Sequence, residues 1–324
     1  MIYIDNISTN PYFNLALEQY LFENFTDDVF MLWINEPTVV VGKYQNTIEE
    51  INQEFIFKNN INVIRRITGG GAVYHDLGNL NYTIISNTDS DIINFKKFTK
   101  PVIDLLQKKG INAISNGRND ITINNKKICG NAQHIKNGRV LHHGCILFDV
   151  NLENLVNALS VSADKIESKG LKSVRSRVDN VLNNLEDKID IFEFKDELLQ
   201  FMKDEIEIMN EYKLSDKDLK HINEIMEHKK KWEWNFGNSP KCNIKNSKRY
   251  NAGKIEVLLN IEKGLISNIK FYGDFFSNGN IDELEKRFLN IKYDIVTLSE
   301  FLDNLNIECY FPNFSKNEIL EVLI

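Results

Sequence analysis

The residues with the most chemical content stand in three short segments. The first reads Arg65-Arg66-Ile67-Thr68-Gly69-Gly70-Gly71-Ala72-Val73-Tyr74-His75-Asp76. Three consecutive glycines let the backbone come close to a ligand and turn successive N–H groups toward an anion. The two arginines before them bring positive charge to the same place. A plain turn between two strands is the alternative. The segment is not a Walker A loop, since Gly-x-x-x-x-Gly-Lys-Ser/Thr is absent, and Tyr74 stands where a dinucleotide fingerprint needs its third glycine. A nucleotide bound here would be bound without either device.

The second segment runs from Gly117 to Gly130 and contains Asp120 and the pair Lys126-Lys127. Asn124-Asn125 suits a two-residue hairpin turn, because asparagine tolerates positive φ. Such a turn pairs Ile123 with Lys126, Thr122 with Lys127 and Asp120 with Cys129. Side chains alternate along a strand, so Asp120, Thr122, Lys127 and Cys129 are expected on one face, with Ile121, Ile123, Lys126 and Ile128 on the other. Lys127 then has a carboxylate as its diagonal neighbour, about 7–8 Å away between Cα atoms; the alternative is two solvated lysines and a weak surface bridge. The third segment, Leu141-His142-His143-Gly144-Cys145-Ile146-Leu147-Phe148-Asp149, reads as a buried strand. Its adjacent histidines face opposite sides, so they are poorly placed to share a metal, and at most one faces a pocket. A purely structural hydrogen bond is the alternative for that histidine.

The chain that must position these groups has 324 residues, enough for two domains or one large one, with 42% apolar and 26% charged residues and a net charge of −7. A mildly acidic protein does not grip nucleic acid through bulk charge, so an anionic substrate must meet a local basic cluster. The N-terminus lacks the pattern of a secretory signal, and no apolar run is long enough to span a bilayer. Cys129, Cys145, Cys242 and Cys309 are scattered without a Cys-x-x-Cys pair, which argues against a zinc site or a disulfide framework and fits a reducing cytoplasm.

Asn10-Pro11 offers a cap and a first-turn proline, and Phe13, Ala16, Leu17, Tyr20 and Leu21 keep helical spacing, so residues 11–24 read as an amphipathic helix. Glu18 lies on its flank. Strands are expected at 28–34, 38–42, 62–67, 72–75, 80–86, 118–123, 126–129 and 139–150. Helices are expected at 100–109, 152–159, 191–209 and 216–231. A boundary is expected near 238–249, where Asn238-Ser239-Pro240 and a polar stretch through Lys248 interrupt the pattern. A hairpin over 252–261 and 265–272 and helices near 281–289, 297–305 and 315–323 then form a small α+β unit.

Several motifs in this order resemble lipoate–protein ligase A, of the biotin/lipoate ligase superfamily. They are Arg65-Arg66-x-x-Gly69-Gly70-Gly71-Ala72-Val73-Tyr74-His75-Asp76-x-Gly78-Asn79-x-Asn81, Gly117-Arg118-Asn119-Asp120, Lys127-Ile128-x-Gly130-Asn131-Ala132, His142-His143-Gly144 and Lys169-Gly170-x-Lys172-Ser173-Val174-Arg175-Ser176-Arg177-Val178. Pro11 to Glu18, Pro37 to Gly42 and Trp232 to Gly237 also fit, so the resemblance covers almost the whole chain.

The resemblance implies a mixed α+β fold: a large catalytic domain with sheets flanked by helices over 1–244 and a small accessory domain over 249–324. It implies an ATP-dependent, AMP-forming ligase that converts lipoate to lipoyl-AMP, releases pyrophosphate and transfers the lipoyl group to a lysine. The partners implied are lipoyl domains of 2-oxoacid dehydrogenase E2 subunits or the glycine-cleavage H protein, in the cytoplasm. Carried over by motif, Lys127 is the catalytic lysine and Asp120 its acidic companion. Glu18, Arg66, Thr68, Gly69, Gly70, Gly71, His75 and His143 would bind lipoate. Arg66, Val73, Tyr74, Asn79, Asp120, Lys127, Ser173, Arg175 and Arg177 would bind ATP or the adenylate. Joining a carboxylate to an α-phosphate brings two anions together, which Lys127 can neutralise. Magnesium would screen the phosphates, with Asp120 its candidate ligand. Two departures stand out: His134 where some members have arginine, and Cys129 where others have serine. A transferase of the same fold that forms a cysteine thioester on Cys129 or Cys145 is the competing function.

Overall fold

The computed structural model describes residues 1–89, 92–116, 119–159, 177–206, 210–236, 244–262, 264–293 and 295–324. Its largest element is an eight-stranded sheet. In chain order the strands are β1 (Ile2–Asp5), β2 (Val29–Ile34), β3 (Thr38–Val41), β4 (Asn62–Arg65), β5 (Val73–His75), β6 (Asn79–Asn87), β7 (Ala113–Asn116), β8 (Asp120–Ile123), β9 (Lys126–Lys136), β10 (Arg139–Leu147), β11 (Asn210–Glu211), β12 (Ile244–Tyr250), β13 (Gly253–Glu262) and β14 (Leu265–Gly273). The large sheet has the order β11-β1-β2-β6-β10-β9-β8-β7; β4-β3-β5 and β12-β13-β14 form two small sheets. Only the β1 pairings in the large sheet are parallel among those described.

Both faces of the large sheet are covered, which is why β2 is apolar throughout. Phe30, Leu32 and Ile34 pack with Val102, Leu105 and Leu106 of the Phe95–Lys108 helix and with Phe194 and Leu198 of the Ile191–Ile206 helix. Val29, Met31 and Trp33 alternate to the other face, against Leu15, Leu17 and Leu21 of the Pro11–Asn24 helix and Ile222 of the Asp216–Lys230 helix. The first helix begins as its sequence requires: Asn10 Oδ1 accepts from the Tyr12 and Phe13 N–H groups, and Pro11 fills the first turn.

The mixed α+β architecture follows expectation; β1, β7 and the short helices Thr47–Glu50 and Gln53–Lys58 are additional to the expected elements, and three further differences have identifiable causes. The helix expected from residue 100 starts at Phe95, capped by Asn94, and carries Pro101 inside it rather than at its first turn. The polar stretch through Lys248 is not an interruption: Ile244–Tyr250 is β12, an edge strand paired antiparallel to β13, whose Lys245, Ser247, Lys248 and Arg249 face water. The β8–β9 hairpin turns at Asn124 (φ 50°) and Asn125 (φ 63°) as the residue pair dictates, but its register slips by one beyond Lys127. Thr122 pairs with Lys127, whereas Ile121 pairs with Cys129 and Asp120 with Gly130. The bulge turns both Ile128 and Cys129 into the apolar core beside Ile121 and Ile123. Cys129 is therefore not on the Lys127 face.

A separate apolar core fills the last eighty residues, and it reaches back to Tyr44. The Tyr44 ring stacks on Phe275 with centroids 4.9 Å apart, and Phe275 meets Phe311 edge-on at 5.1 Å. Gly273 N–H donates to Tyr44 O at 2.6 Å. Phe275 is fully buried at this seam. Replacing it with alanine is expected to cost about 3–5 kcal/mol, read from chemical denaturation; a loss below about 1 kcal/mol would show that the seam is not packed this way.

Candidate active site

Arg65 and Arg66 leave the end of β4 in opposite directions, as adjacent strand residues must. Arg65 does not supply charge to the glycine loop, contrary to expectation. Its Nη1 donates to the carbonyls of Gly42 (2.7 Å), Lys43 (3.1 Å) and Gln45 (2.7 Å), its Nη2 to Thr47 Oγ1 (2.6 Å) and Asn235 O (3.0 Å), and its Nε to Trp234 O (3.1 Å). It ties residues 42–47 to the Trp232–Asn235 turn. Arg66 instead organises the loop from within. Nη2 donates to Gly69 O (2.6 Å) and Gly71 O (2.8 Å), Nη1 to Val40 O (3.2 Å) and Nε to Thr68 Oγ1 (2.9 Å). Burial first of all, and Arg65 nearby, lower its pKa to about 10 against the pull of Cys145 and Glu18, which leaves it charged at neutral pH.

The glycines answer to sterics. Gly70 has φ +90°. A Cβ on Gly69 would lie 2.5 Å from Phe275 O, and one on Gly42 would lie 1.9 Å from Gly70 O. The Gly70 N–H donates to Phe275 O at 3.2 Å, so in this arrangement it serves the chain's own tail rather than an anion.

Behind the loop runs a buried polar relay. His143 Nε2 lies 2.9 Å from Thr68 Oγ1, and Nδ1 lies 2.8 Å from Glu18 Oε1. Thr83 Oγ1 donates to the same carboxylate oxygen at 2.7 Å and accepts from Trp33 Nε1 at 2.9 Å. Burial pushes the Glu18 carboxyl up, but His143, the Thr83 hydroxyl and Lys229 outweigh it and hold the group below the ordinary glutamate range. His142 faces the other side and bonds Tyr82 and Gln133.

Loop, relay and hairpin line one cavity that opens to solvent. Arg66, Gly70, Gly71, Val73, His75, Lys127 and His143 all line it. Lys127 Nζ forms an ion pair with Asp120 Oδ1 at 2.8 Å, with about a third of each side chain exposed. Burial would depress the ammonium, but Asp120 above all raises it past the usual lysine value, so it stays charged. The Lys127 backbone is pinned by the chain at residues 177–179: its N–H donates to Arg177 O (2.7 Å) and its carbonyl accepts from Asp179 N–H (3.0 Å).

Other expected residues stand back from the cavity. Glu18 and Thr68 reach it only as partners of His143, and Asp120 as the partner of Lys127. Asn79 donates to Asn81 Oδ1 at 2.8 Å, which leaves the buried Asn81 Nδ2 at the cavity wall without a protein partner. The Tyr74 ring is a correction: it packs with Val39 and Leu147 on the face of β5 opposite Val73 and His75, so its side chain cannot touch a ligand here. The Arg177 side chain is exposed. Ser173 and Arg175 lie outside the described residues. Of the two cysteines considered, Cys145 lines the cavity and Cys129 does not. His134 packs on Phe22 at 5.6 Å, away from the cavity. The apolar wall of Leu15, Trp33 and Val40, and the amides of Asn81, Asn119 and Asn131, were not among the expected ligands. Asn81 and Asn131 stand inside quoted motifs; for the apolar wall, strand and helix periodicity gave only burial.

A glycine-walled cavity lined by Arg66 and by one lysine paired with a carboxylate, on this arrangement of sheets, defines a class. The chain belongs to the lipoate–protein ligase family and is an enzyme of it. A family profile for the lipoyl protein ligase A/B catalytic domain matches residues 10–203, and one for the bacterial lipoate protein ligase C-terminus matches residues 239–323. The chain is 43% identical to lipoate-protein ligase LplJ of Bacillus subtilis (strain 168) over the whole of both proteins. It is 39% identical to lipoate–protein ligase 1 of Staphylococcus aureus (strain Mu50) over 98% of each. Its structure resembles P. falciparum LipL1 in complex with lipoate, with a TM-score of 0.82 and 28% identity over 99% of this chain and 98% of that one. It also resembles an archaeal bi-partite lipoate protein ligase from Thermoplasma acidophilum, described with its E2 lipoyl domain (TM-score 0.66, 28% identity, 75% of this chain and 98% of that one). A third likeness is to lipoate-protein ligase A bound with ATP (TM-score 0.64, 25% identity, 73% and 99%).

Behind the relay, Lys229 is 1% exposed and lies 5.1 Å from the Trp234 ring centroid. Burial lowers its pKa from 10.5 to about 8 against the pull of Glu18 and Glu23. Between those values the unfolded chain binds a proton that the folded chain has lost, so unfolding takes one up and stability rises with pH. The melting temperature of the parent should rise relative to Lys229→Met between pH 7.5 and 9.5. A gap that does not change with pH would show that the ammonium is not the cause.

Proposed function

We propose that this ligase activates lipoate with ATP and transfers the lipoyl group to a lysine of a lipoyl domain. The observation that carries the reading is Lys127: a lysine kept charged by Asp120 and aimed into the cavity walled by Gly70, Gly71 and Arg66. The likeness to structures with lipoate and with ATP supports both substrates. A carboxylate oxygen of lipoate attacks the α-phosphorus, the bond to the bridging oxygen breaks, and pyrophosphate leaves. The Lys127 ammonium offsets the charge of both anions as they meet, and a preorganised donor of this kind is worth a few kcal/mol in the barrier. In the second step an acceptor amine attacks the acyl carbon, loses its proton and displaces AMP.

The acyl chain is assigned to the Leu15, Trp33, Val40, His75 and His143 end of the cavity. The adenylate is assigned to the Lys127 end, with Val73 (paired with Val40) and Asn81 (paired with Trp33 and with Cys145) bordering both ends. Ser173, Arg175 and Arg177 keep their assigned role toward the adenylate on the resemblance alone. Magnesium fits with Asp120 as a single carboxylate contact: among the described residues no cluster of three acidic, histidine or cysteine side chains is built for an ion, and such an ion would depend mainly on phosphate oxygens. The division expected at 1–244 and 249–324 is assigned instead to the segment before β12, since Ile244–Tyr250 pairs wholly within the tail's sheet; each unit has apolar packing of its own. The archaeal ligase described with an E2 lipoyl domain supports an acceptor of that kind, and the H protein is the alternative acceptor. The free thiols of Cys129, Cys145 and Cys309 suit a cytoplasmic setting; no described helix is long and apolar enough to cross a membrane.

Cys145, at the cavity wall, keeps a thioester-forming transferase as the second reading. Lipoate-dependent exchange of pyrophosphate into ATP separates the two. Lys127→Met is expected to lower that exchange by at least about a hundredfold while lipoate binding persists by calorimetry. Exchange at the parent rate, or acyl transfer that needs no ATP and is lost on Cys145→Ser, would defeat the ligase mechanism.

A further inference from the structure

His75 is held by three asparagine amides whose orientation the backbone dictates. The Ser8 N–H donates to Asn6 Oδ1 at 3.1 Å, and since an N–H can only donate, Asn6 must present Nδ2 on its other side. That Nδ2 donates to Asn14 Oδ1 at 2.9 Å. Asn14 Nδ2 faces the carbonyl oxygens of Ser8 (2.9 Å) and Ile34 (3.0 Å), which can only accept, and lies 2.9 Å from Asn35 Oδ1. Asn35 is thereby turned so that its own Nδ2 donates to His75 Nδ1 at 3.1 Å. None of the four side chains is more than 6% exposed. A ring nitrogen that accepts carries no proton, so a neutral His75 must carry its proton on Nε2. Burial above all, then Arg66 and His143, lower the ring's pKa to about 3, which keeps it neutral.

The result is an N–H at Nε2, buried, without a protein partner, on a ring that lines the cavity. A buried donor left unmatched is costly, and a ligand atom is the natural completion. The surroundings of His75 say which part of a ligand it meets. Its ring stands edge-on to Trp33 at 6.2 Å, and the charges that act on it are Arg66 and His143. Trp33, Asn81, Cys145 and Gly130 are successive cross-strand neighbours from β2 to β9, and Lys127 Nζ lies against Gly130. His75, beside Trp33, is therefore separated from Lys127 by the width of those strands and lies at the apolar wall.

Resting on the reading that lipoate fills this cavity, we propose that the His75 Nε2–H donates to a dithiolane sulfur and so selects lipoate over a saturated acid, with Asn6, Asn14 and Asn35 as positioning residues that hold the tautomer. Octanoate presents only C–H groups at the same depth and leaves the donor unmatched. A site built around a hydrogen bond rejects the analogue that lacks the acceptor, and because sulfur accepts weakly the selection is moderate.

The test is the ratio of kcat/KM for lipoate to that for octanoate in ATP–pyrophosphate exchange by the full chain. The parent is expected to favour lipoate by roughly tenfold. His75→Phe should bring the ratio close to one. His75→Gln, which keeps a neutral N–H donor, should restore most of it, and Asn35→Leu, which alters only the support, should fall between. A ratio that is the same in parent, His75→Phe and His75→Gln overturns the proposal. Imidazole ¹⁵N spectra of the unmutated chain, assigned by the signal missing in His75→Gln, give a second measurement. Nε2 should be protonated and Nδ1 bare at pH 7, with lipoate shifting Nε2 more than octanoate does. A bare Nε2 or an imidazolium overturns the proposal. Exchange with neither acid would instead bring down the ligase reading together with it, whereas equal exchange with both would sink only the role given to His75.

Discussion

The site depends on where the charge of Arg66 goes. A guanidinium that is 5% exposed cannot be left unmatched, since an isolated buried cation costs far more than a domain's net stability. Here the charge is met by the carbonyls of Val40, Gly69 and Gly71 and the Thr68 hydroxyl, not by a directly bonded carboxylate. Turning two loop carbonyls inward fixes the peptide planes between them. That constraint puts Gly70 at positive φ and brings its oxygen against Gly42. It also explains why Thr68, His143 and Glu18 are buried together: the hydroxyl that accepts from Arg66 is itself steadied by the imidazole, and the imidazole by the carboxylate.

The same loop carries the tail. Gly69 has no room for a side chain because Phe275 O lies against it, and Gly70 donates to that oxygen. Phe276 packs beside Phe95 and Ala132, the latter a cavity-wall residue. Phe275 closes on Tyr44, three residues beyond β3, in a loop tied down by Arg65. Two arginines adjacent in sequence therefore serve two surfaces: Arg65 fixes the platform on which the tail rests, and Arg66 fixes the cavity wall. Neither surface can rearrange without disturbing backbone that the other uses.

Much of this was legible in the residues, and the failures have physical causes. The cap at Asn10, the Asn124-Asn125 turn and the alternation that sends His142 and His143 apart all follow from local rules. Extending alternation through β9 misplaced Cys129, because a single-residue bulge after Lys127 resets the face and no local residue type announces it. Asp120 and Lys127 still meet across that slip because the extra residue is on β9: β8 keeps its own alternation, so Asp120 shares a face with Thr122, which pairs with Lys127. Ile244–Tyr250 was hidden because an edge strand open to water can be polar at most positions. The Asn6–Asn14–Asn35 chain could not be read at all: its members sit after β1, in a helix and after β2, and only the fold brings them to one hydrogen-bonded line.

What these elements produce together is a gradient of polarity along one cavity. At one end Lys127, paired with Asp120, keeps about a third of its side-chain surface in water, where a charged pair costs less to maintain than a fully buried one. At its depth Trp33, Val40 and Leu15 are at most 2% exposed, and the ring there, His75, is kept uncharged by the burial that would make a charge expensive. Beside Val40 lies Arg66, a buried charge matched by the protein's own carbonyls. On the proposed reading, an acid laid along this axis has its carboxylate beside a lysine and its far end against apolar walls and a neutral ring, so that desolvation already favours one direction before any specific contact is counted.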